Sequence, residues 1–291
     1  MRFVDTHTHT WGPNTAELPW SEPVLPPGWA GPYTVHDLIA DMDDVGVEEA
    51  VTVTTPLYGR GIRANEYTMR SIEAYPDRLW GVGLMDFHGD PDAVRATLRR
   101  VVGHDRMLGV RMHACLTYEE HPTEINRTAD WILDDDLAPV WAEAAAQEAA
   151  VFIFPKADQI SMVETLADRY PDVQLVVDHM AFPDDTTASD ETPWADFESL
   201  SDHGNVAVKL SSLPRSSQLG WPYEDLWGYV RNLAEWFGTD RLMLGSDYPW
   251  MDDWADYEAC LSWIEETPFL SARDHSALTR RTFERVHGVR R

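Results

Sequence analysis

The chain has 291 residues, with 50 Asp and Glu against 23 Lys and Arg and a formal net charge of −27. That balance excludes generic nucleic-acid binding, because no basic stripe is available to neutralise phosphates. No apolar run approaches the roughly 18 residues that would span a bilayer. With 44% hydrophobic residues, 13 Trp, 10 Tyr and 9 Phe, the chain can bury a sizeable core, and α/β barrels of this length form a single domain.

The opening MRFVDTHTHTWG has no apolar segment of the signal-peptide kind. Cys115 and Cys260 are too few for a disulfide framework, and a reducing cytoplasm is expected. Only Lys156 and Lys209 are lysine, and the other basic residues are arginine. An acidic surface nearly stripped of lysine reads first as adaptation to high salt, where screening removes the self-repulsion. The charge then reports the solvent rather than the substrate.

In chain order, β-rich runs fall at 2–5, 49–54, 79–85, 107–113, 150–154, 173–179, 206–211 and 242–247. Helix-period segments lie between them. Val94, Leu98, Val101 and Val102 share one helical face, as do Ile160, Val163, Ala167 and Tyr170, and Leu226, Val230, Leu233 and Phe237. Gly46, Tyr75-Pro76-Asp77 and Tyr170-Pro171-Asp172 supply helix stops. Eight alternations of strand and helix predict an α/β fold, a (β/α)8 TIM barrel forming one domain over 1–291. An open doubly wound sheet is the alternative, but no Gly-rich dinucleotide turn follows the first strand.

Three irregular stretches follow strands, at 11–32 (six of the 19 prolines), 116–136 and 182–193. In a barrel they belong to the carboxyl-end face, where loops build the active site. Trp11, Trp20 and Trp29 in the first either line an apolar pocket or anchor the loop. Asp86 and His88, after the third strand, read as loop polars.

The first strand runs into Asp5-Thr6-His7-Thr8-His9. Residues two apart share a face of an extended chain, so His7 and His9 can meet one ion. An H-x-H alone reads sooner as a pair of surface histidines; its place at the end of a first barrel strand is what points to a site. The sixth run closes on Asp178-His179 and the eighth on Ser246-Asp247. Taken singly, His179 reads equally as a core histidine or a site residue, and Asp247 either caps the next helix or serves as ligand or base. Together His7, His9, His179 and Asp247 surround one mouth, and imidazoles with a carboxylate form an open metal site. Arg111 and His113 alternate on the fourth strand, where a guanidinium either clamps a substrate carboxylate or makes a surface ion pair. Lys209 stands inside a strand of a chain that otherwise prefers arginine, which suggests a steric or pKa reason for it.

DTHTH at the first strand, VVDHMAFP at the sixth and GSDYPW at the eighth resemble the amidohydrolase superfamily. More narrowly they resemble its amidohydrolase-related group of lactonases and decarboxylases. GVRMH at the fourth strand and VAVKLS at the seventh extend the similarity over nearly the whole chain. The resemblance implies that His7, His9 and Asp247 bind a divalent metal, usually zinc, that Asp247 shuttles a proton, and that His179 contacts metal or polarises the reacting group. One departure stands out. The decarboxylase branch carries a metal-binding His at the fifth strand, where this chain has Phe154. The pattern is closest to the lactonase branch, the 2-pyrone-4,6-dicarboxylate hydrolase-like group, which lacks that His and includes members working without metal.

The expected function is therefore hydrolysis of a lactone or related cyclic ester by water that metal and Asp247 activate. Asp247 and His179 are the catalytic pair, His7, His9, Asp247 and His179 the metal set, and Arg111, His113 and Lys209 the substrate-binding set. A non-oxidative decarboxylase on the same barrel and a non-catalytic ligand-binding barrel are the alternatives. The expected partner is a small-molecule substrate, with neither nucleic acid nor membrane; the sequence leaves a homo-oligomer open.

Overall fold

The computed structural model describes residues 3–21, 31–59, 61–115, 130–184 and 186–289. Eight strands form one sheet in sequence order: β1 Val4–Thr8, β2 Glu49–Val53, β3 Leu79–Leu84, β4 Met107–Met112, β5 Ala150–Ile153, β6 Leu175–Val177, β7 Val206–Leu210 and β8 Leu242–Leu244. Every neighbouring pair is parallel, and helices lie between the strands. β1 returns to β8 through Thr6 Oγ1, which donates to Leu244 O at 2.8 Å, and through a parallel bridge between Thr8 and Tyr248. The chain is a (β/α)8 barrel.

Apolar alternation along the strands divides the core into two layers. Val4, Val51, Val53, Val82, Ala150, Phe152, Val176, Ala207 and Met243 fill the barrel, with Phe283 of the helix Thr282–Val286 packed against them. The outward residues of the strands meet the helices: Val94, Leu98 and Val101 are buried along Pro91–Val102, Ile160, Val163 and Ala167 along Ile160–Arg169, and Val230, Leu233 and Phe237 along Trp227–Phe237. Leu226 precedes its helix in a 3-10 turn, and Tyr170 follows its helix and stacks on Trp141. Gly46 ends the first helix at φ 78°, a left-handed position that suits glycine.

The strand ends depart from the sequence reading in an informative way. β1 lies further along than 2–5. It continues to Thr8 across a bulge, one extra residue between the Asp5↔Ala50 and Thr8↔Thr52 pairs, which re-aims side chains near the mouth. β2 to β5 and β7 each stop one residue before the expected end. β6 and β8 are three residues long, because the backbone leaves the ladder at Asp178 and at Gly245. Trp11 is buried and pairs with Tyr33 across the proline-rich stretch, whereas Trp29 lies outside the described residues. So do 116–129 of the fourth-strand loop; its described end forms the 3-10 turns Trp131–Leu133 and Asp135–Leu137.

Candidate active site

The last residues of β1 and the turns after β6, β7 and β8 converge. His7, His9, Asp178, His179, Lys209, Ser211, Ser212 and Asp247 are all buried. Gly245 makes the approach of β8 to β1 feasible, since a Cβ there would lie 2.9 Å from His7 Cβ and 3.0 Å from His7 N. Two backbone bonds then lock the register: Asp247 N donates to His7 O at 2.8 Å and His9 N to Tyr248 O at 2.8 Å. Asp5 lies beneath, accepting from His7 N, Ser246 N, Ser246 Oγ and Tyr257 Oη at 2.5–3.0 Å. Burial pushes the Asp5 carboxyl up to about 6 despite those donors.

His9 Nδ1 lies 2.8 Å from the carbonyl of Val53. A carbonyl only accepts, so the proton of a neutral His9 sits on Nδ1 and its Nε2 lone pair faces inward. That Nε2 is 3.2 Å from His7 Nε2 and 3.2 Å from Asp247 Oδ1, and Asp247 Oδ1 is 3.7 Å from His7 Nε2. An imidazole acceptor facing a carboxylate acceptor needs a proton or a cation between them. Two imidazole nitrogens and a carboxylate oxygen are the donor set of an open zinc-type site, so these residues fit the implied metal. A nitrogen of His179 also lies within 4.8 Å of His7 and Asp247 ligand atoms, although both of its ring nitrogens have other partners in this arrangement.

The ring of His179 is engaged on both sides. Arg111 Nη2 approaches its Nε2 at 2.9 Å, while Ser211 Oγ and Ser212 Oγ lie 2.9 and 3.1 Å from its Nδ1. Ser212 in turn donates to Asp247 Oδ2. Burial lowers His179 to about 4 and His7 well below the usual histidine range, where Lys209 adds to the effect, so both rings are neutral at pH 7. Burial would raise Asp247, but His179, His9 and His7 outweigh it and hold the carboxyl below its ordinary value.

Under the histidines lies an ion cluster centred on Asp178. Arg111 Nε donates to Oδ2 at 2.8 Å; Lys209 Nζ is 3.3 Å and His7 Nδ1 3.4 Å from Oδ1. Burial opposes ionisation of Asp178, and Lys209, Arg111 and His7 overcome it, leaving the carboxyl well below the usual range. Lys209 turns into the barrel, 1% exposed, beside His7 at 3.2 Å and over the Phe152 ring. It lies beneath the histidines rather than at the mouth. His113 is buried against Phe154, whose ring also meets His179, Phe182 and the Arg111 guanidinium. Phe154 thus makes an apolar wall at the end of β5. Trp250 faces His9 across the mouth and Trp11 stands behind it.

Asp178 and the Ser211–Ser212 pair escaped the sequence reading. Asp178 had a signal, a carboxylate next to a strand-end histidine in a barrel holding an inward lysine and arginine. The serines had none. His179, Met180, Ala181 and Phe182 take φ of 51–57° in succession, a left-handed turn that costs about 1–2 kcal/mol per non-glycine residue. Trp194 Nε1 donates to Met180 O at 2.9 Å and secures it. Strain of this kind is retained where it places a functional side chain.

Histidines on the first barrel strand and an aspartate after the eighth, meeting at one mouth, define a barrel enzyme with a metal-type site. The amidohydrolase family model matches residues 4–286, and the chain belongs to that family. L-fucono-1,5-lactonase of Burkholderia ambifaria is 34% identical over 143 residues, 47% of this chain and 48% of that protein, so the match spans about half of that relative. 4-Sulfomuconolactone hydrolase of Rhizobium radiobacter is 26% identical over 261 residues, 84% of this chain and 75% of that protein. The crystal structure of an amidohydrolase from Burkholderia multivorans with bound zinc shares the fold at TM-score 0.78 and 22% identity, covering 100% of both chains.

Proposed function

We propose that the protein hydrolyses a lactone or related cyclic ester. The observation that carries this reading is the meeting of His7, His9 and the Asp247 carboxylate within 3.2–3.7 Å at the carboxyl end of the barrel. Asp247 Oδ1 takes a proton from water as the water oxygen bonds to the lactone carbonyl carbon. His179, neutral and with its Nδ1–H resting on the Ser211 and Ser212 oxygens, passes that bond from the serines to the developing oxyanion. When the intermediate collapses, the ring C–O bond breaks and Asp247 returns the proton to the leaving ring oxygen, giving a hydroxy acid. His7, His9 and Asp247 would hold a divalent ion, zinc or similar, which supplies carbonyl polarisation and a more acidic water.

Arg111, braced by Asp178, is the substrate-facing cation of this reading. His113 and Phe154 form the adjoining wall, and Lys209 supports His7 from below. Phe154 favours ester hydrolysis over decarboxylation, because it cannot add the further ligand of the decarboxylase branch. The names of the lactone-hydrolysing relatives point the same way. We further infer a cytoplasmic, high-salt setting from the −27 charge, the two-lysine composition and the two cysteines. Purified protein assayed against sugar lactones and dicarboxylate lactones, with and without a chelator, tests the reaction. Ring opening of at least one supports it; decarboxylation of an aromatic acid with no ring opening refutes it.

A further inference from the structure

We infer that Ser212 is a positioning residue for Asp247. Its hydroxyl holds Oδ2 so that Oδ1 stays turned towards His7, His9 and the attacking water. The inference rests on the role proposed above for Asp247.

Ser212 follows β7 and occupies the N-cap position of the short helix Leu213–Ser216. A serine there ordinarily accepts a hydrogen bond from a first-turn amide. Ser212 makes no such bond. Its hydroxyl is spent instead on Asp247 Oδ2, with His179 Nδ1 3.1 Å away.

The direction of each bond follows from Arg111. A guanidinium only donates, so His179 Nε2 accepts at 2.9 Å, and the proton of the neutral ring sits on Nδ1. Nδ1–H donates to the serine oxygens, with Ser211 Oγ at 2.9 Å sharing it. The Ser212 proton is then committed to the carboxylate. Arg111, His179, Ser212 and Asp247 form one ordered chain of donors ending on the reacting group.

Backbone conformation adds an independent argument. Ser212 is 1% exposed and adopts φ 60°, ψ 22°, a left-handed conformation unfavourable for serine and open to glycine. The fold therefore keeps a strained, buried serine whose local capping bond is unmade. Asp247 is also left-handed, at φ 66°, so regular strand geometry does not aim its carboxylate. His9 meets one oxygen and Ser212 the other.

Ser212→Gly separates this role from a structural one, because it removes the hydroxyl and relieves the backbone together. The expected result is a Tm at or above that of the parent, with kcat for lactone opening lowered about 10- to 100-fold and KM within about twofold. Ser212→Ala keeps the strain and should lose a similar factor in kcat while melting lower than Ser212→Gly. Crystal structures of the parent and Ser212→Gly give a readout independent of turnover: the Asp247 carboxylate should leave its contact with His9 or take two orientations. Unchanged kcat, a fall in Tm together with kcat in Ser212→Gly, or an Asp247 held in its parental orientation each overturns the assignment. If the parent opens no lactone, the proposed function falls, and Ser212 is judged on the orientation of Asp247 alone.

Discussion

Arg111 donates from Nη2 to Nε2 of His179 at 2.9 Å while its Nε donates to Asp178 at 2.8 Å. One planar guanidinium thus selects the tautomer of a buried histidine and braces itself on a buried carboxylate. Lysine cannot copy that fork. Arg111→Lys should lower kcat/KM about 10- to 100-fold and let the His179 proton move to Nε2. Ring 15N shifts together with steady-state kinetics check this; parental shifts with a rate within twofold would contradict it.

Metal binding can be read separately from turnover. About one divalent ion per chain should survive dialysis, and His9→Gln should weaken its retention, because His9 Nε2 is the lone pair oriented by the Val53 carbonyl. Elemental analysis of both proteins measures it. Equal metal content in parent and variant would remove His9 from the ligand set.

Asp5 gives a pH signature with a definite sign. Its folded pKa, up to about 6, exceeds the unfolded value near 3.9, so the unfolded chain carries its charge more readily than the fold does. The associated stability is fully present below about pH 4 and is lost as pH rises through about 6, by about 3 kcal/mol. Asp5→Asn keeps an oxygen for His7 N and Ser246 N, and the hydroxyls of Ser246 and Tyr257 can reverse to accept. The Tm of the variant minus that of the parent should therefore grow from about pH 4 to pH 7. A pH-independent difference would show that the Asp5 carboxyl ionises in the fold as readily as in the unfolded chain.

The barrel was legible in the sequence because apolar strand runs and 3.6-period helices alternate eight times, and those patterns are what burial demands. His7, His9, His179 and Asp247 were legible because each stands where such a run stops. Less visible was how the strands stop. The run 173–179 reads as continuous strand, and nothing in its composition marks four successive left-handed residues, none of them glycine. Ser211 reads as the last residue of the seventh run and Ser212 as an ordinary loop serine, since only the turn after β7 brings them to His179 and Asp247. Lys209 was marked by lysine scarcity, but its place beneath His7 required the inward alternation of β7.

Charge makes a further prediction. At −27 the carboxylates repel over a Debye length of roughly 30 Å at 0.01 M salt, falling to about 3 Å at 1 M. Tm should therefore climb steeply with KCl, and dilute buffer should destabilise the fold. Melting curves from about 0.05 to 3 M KCl bracket that range. A flat Tm would refute the high-salt reading.

The most direct test of Asp247 as the proton acceptor is the rate of lactone opening by Asp247→Asn beside the parent, both supplied with the same zinc and both shown to be folded by melting. Asparagine preserves size but cannot take the proton of water. The rate should fall about 10²- to 10⁴-fold. An Asp247→Asn protein that opens the same lactone within a few-fold of the parental rate would contradict the account.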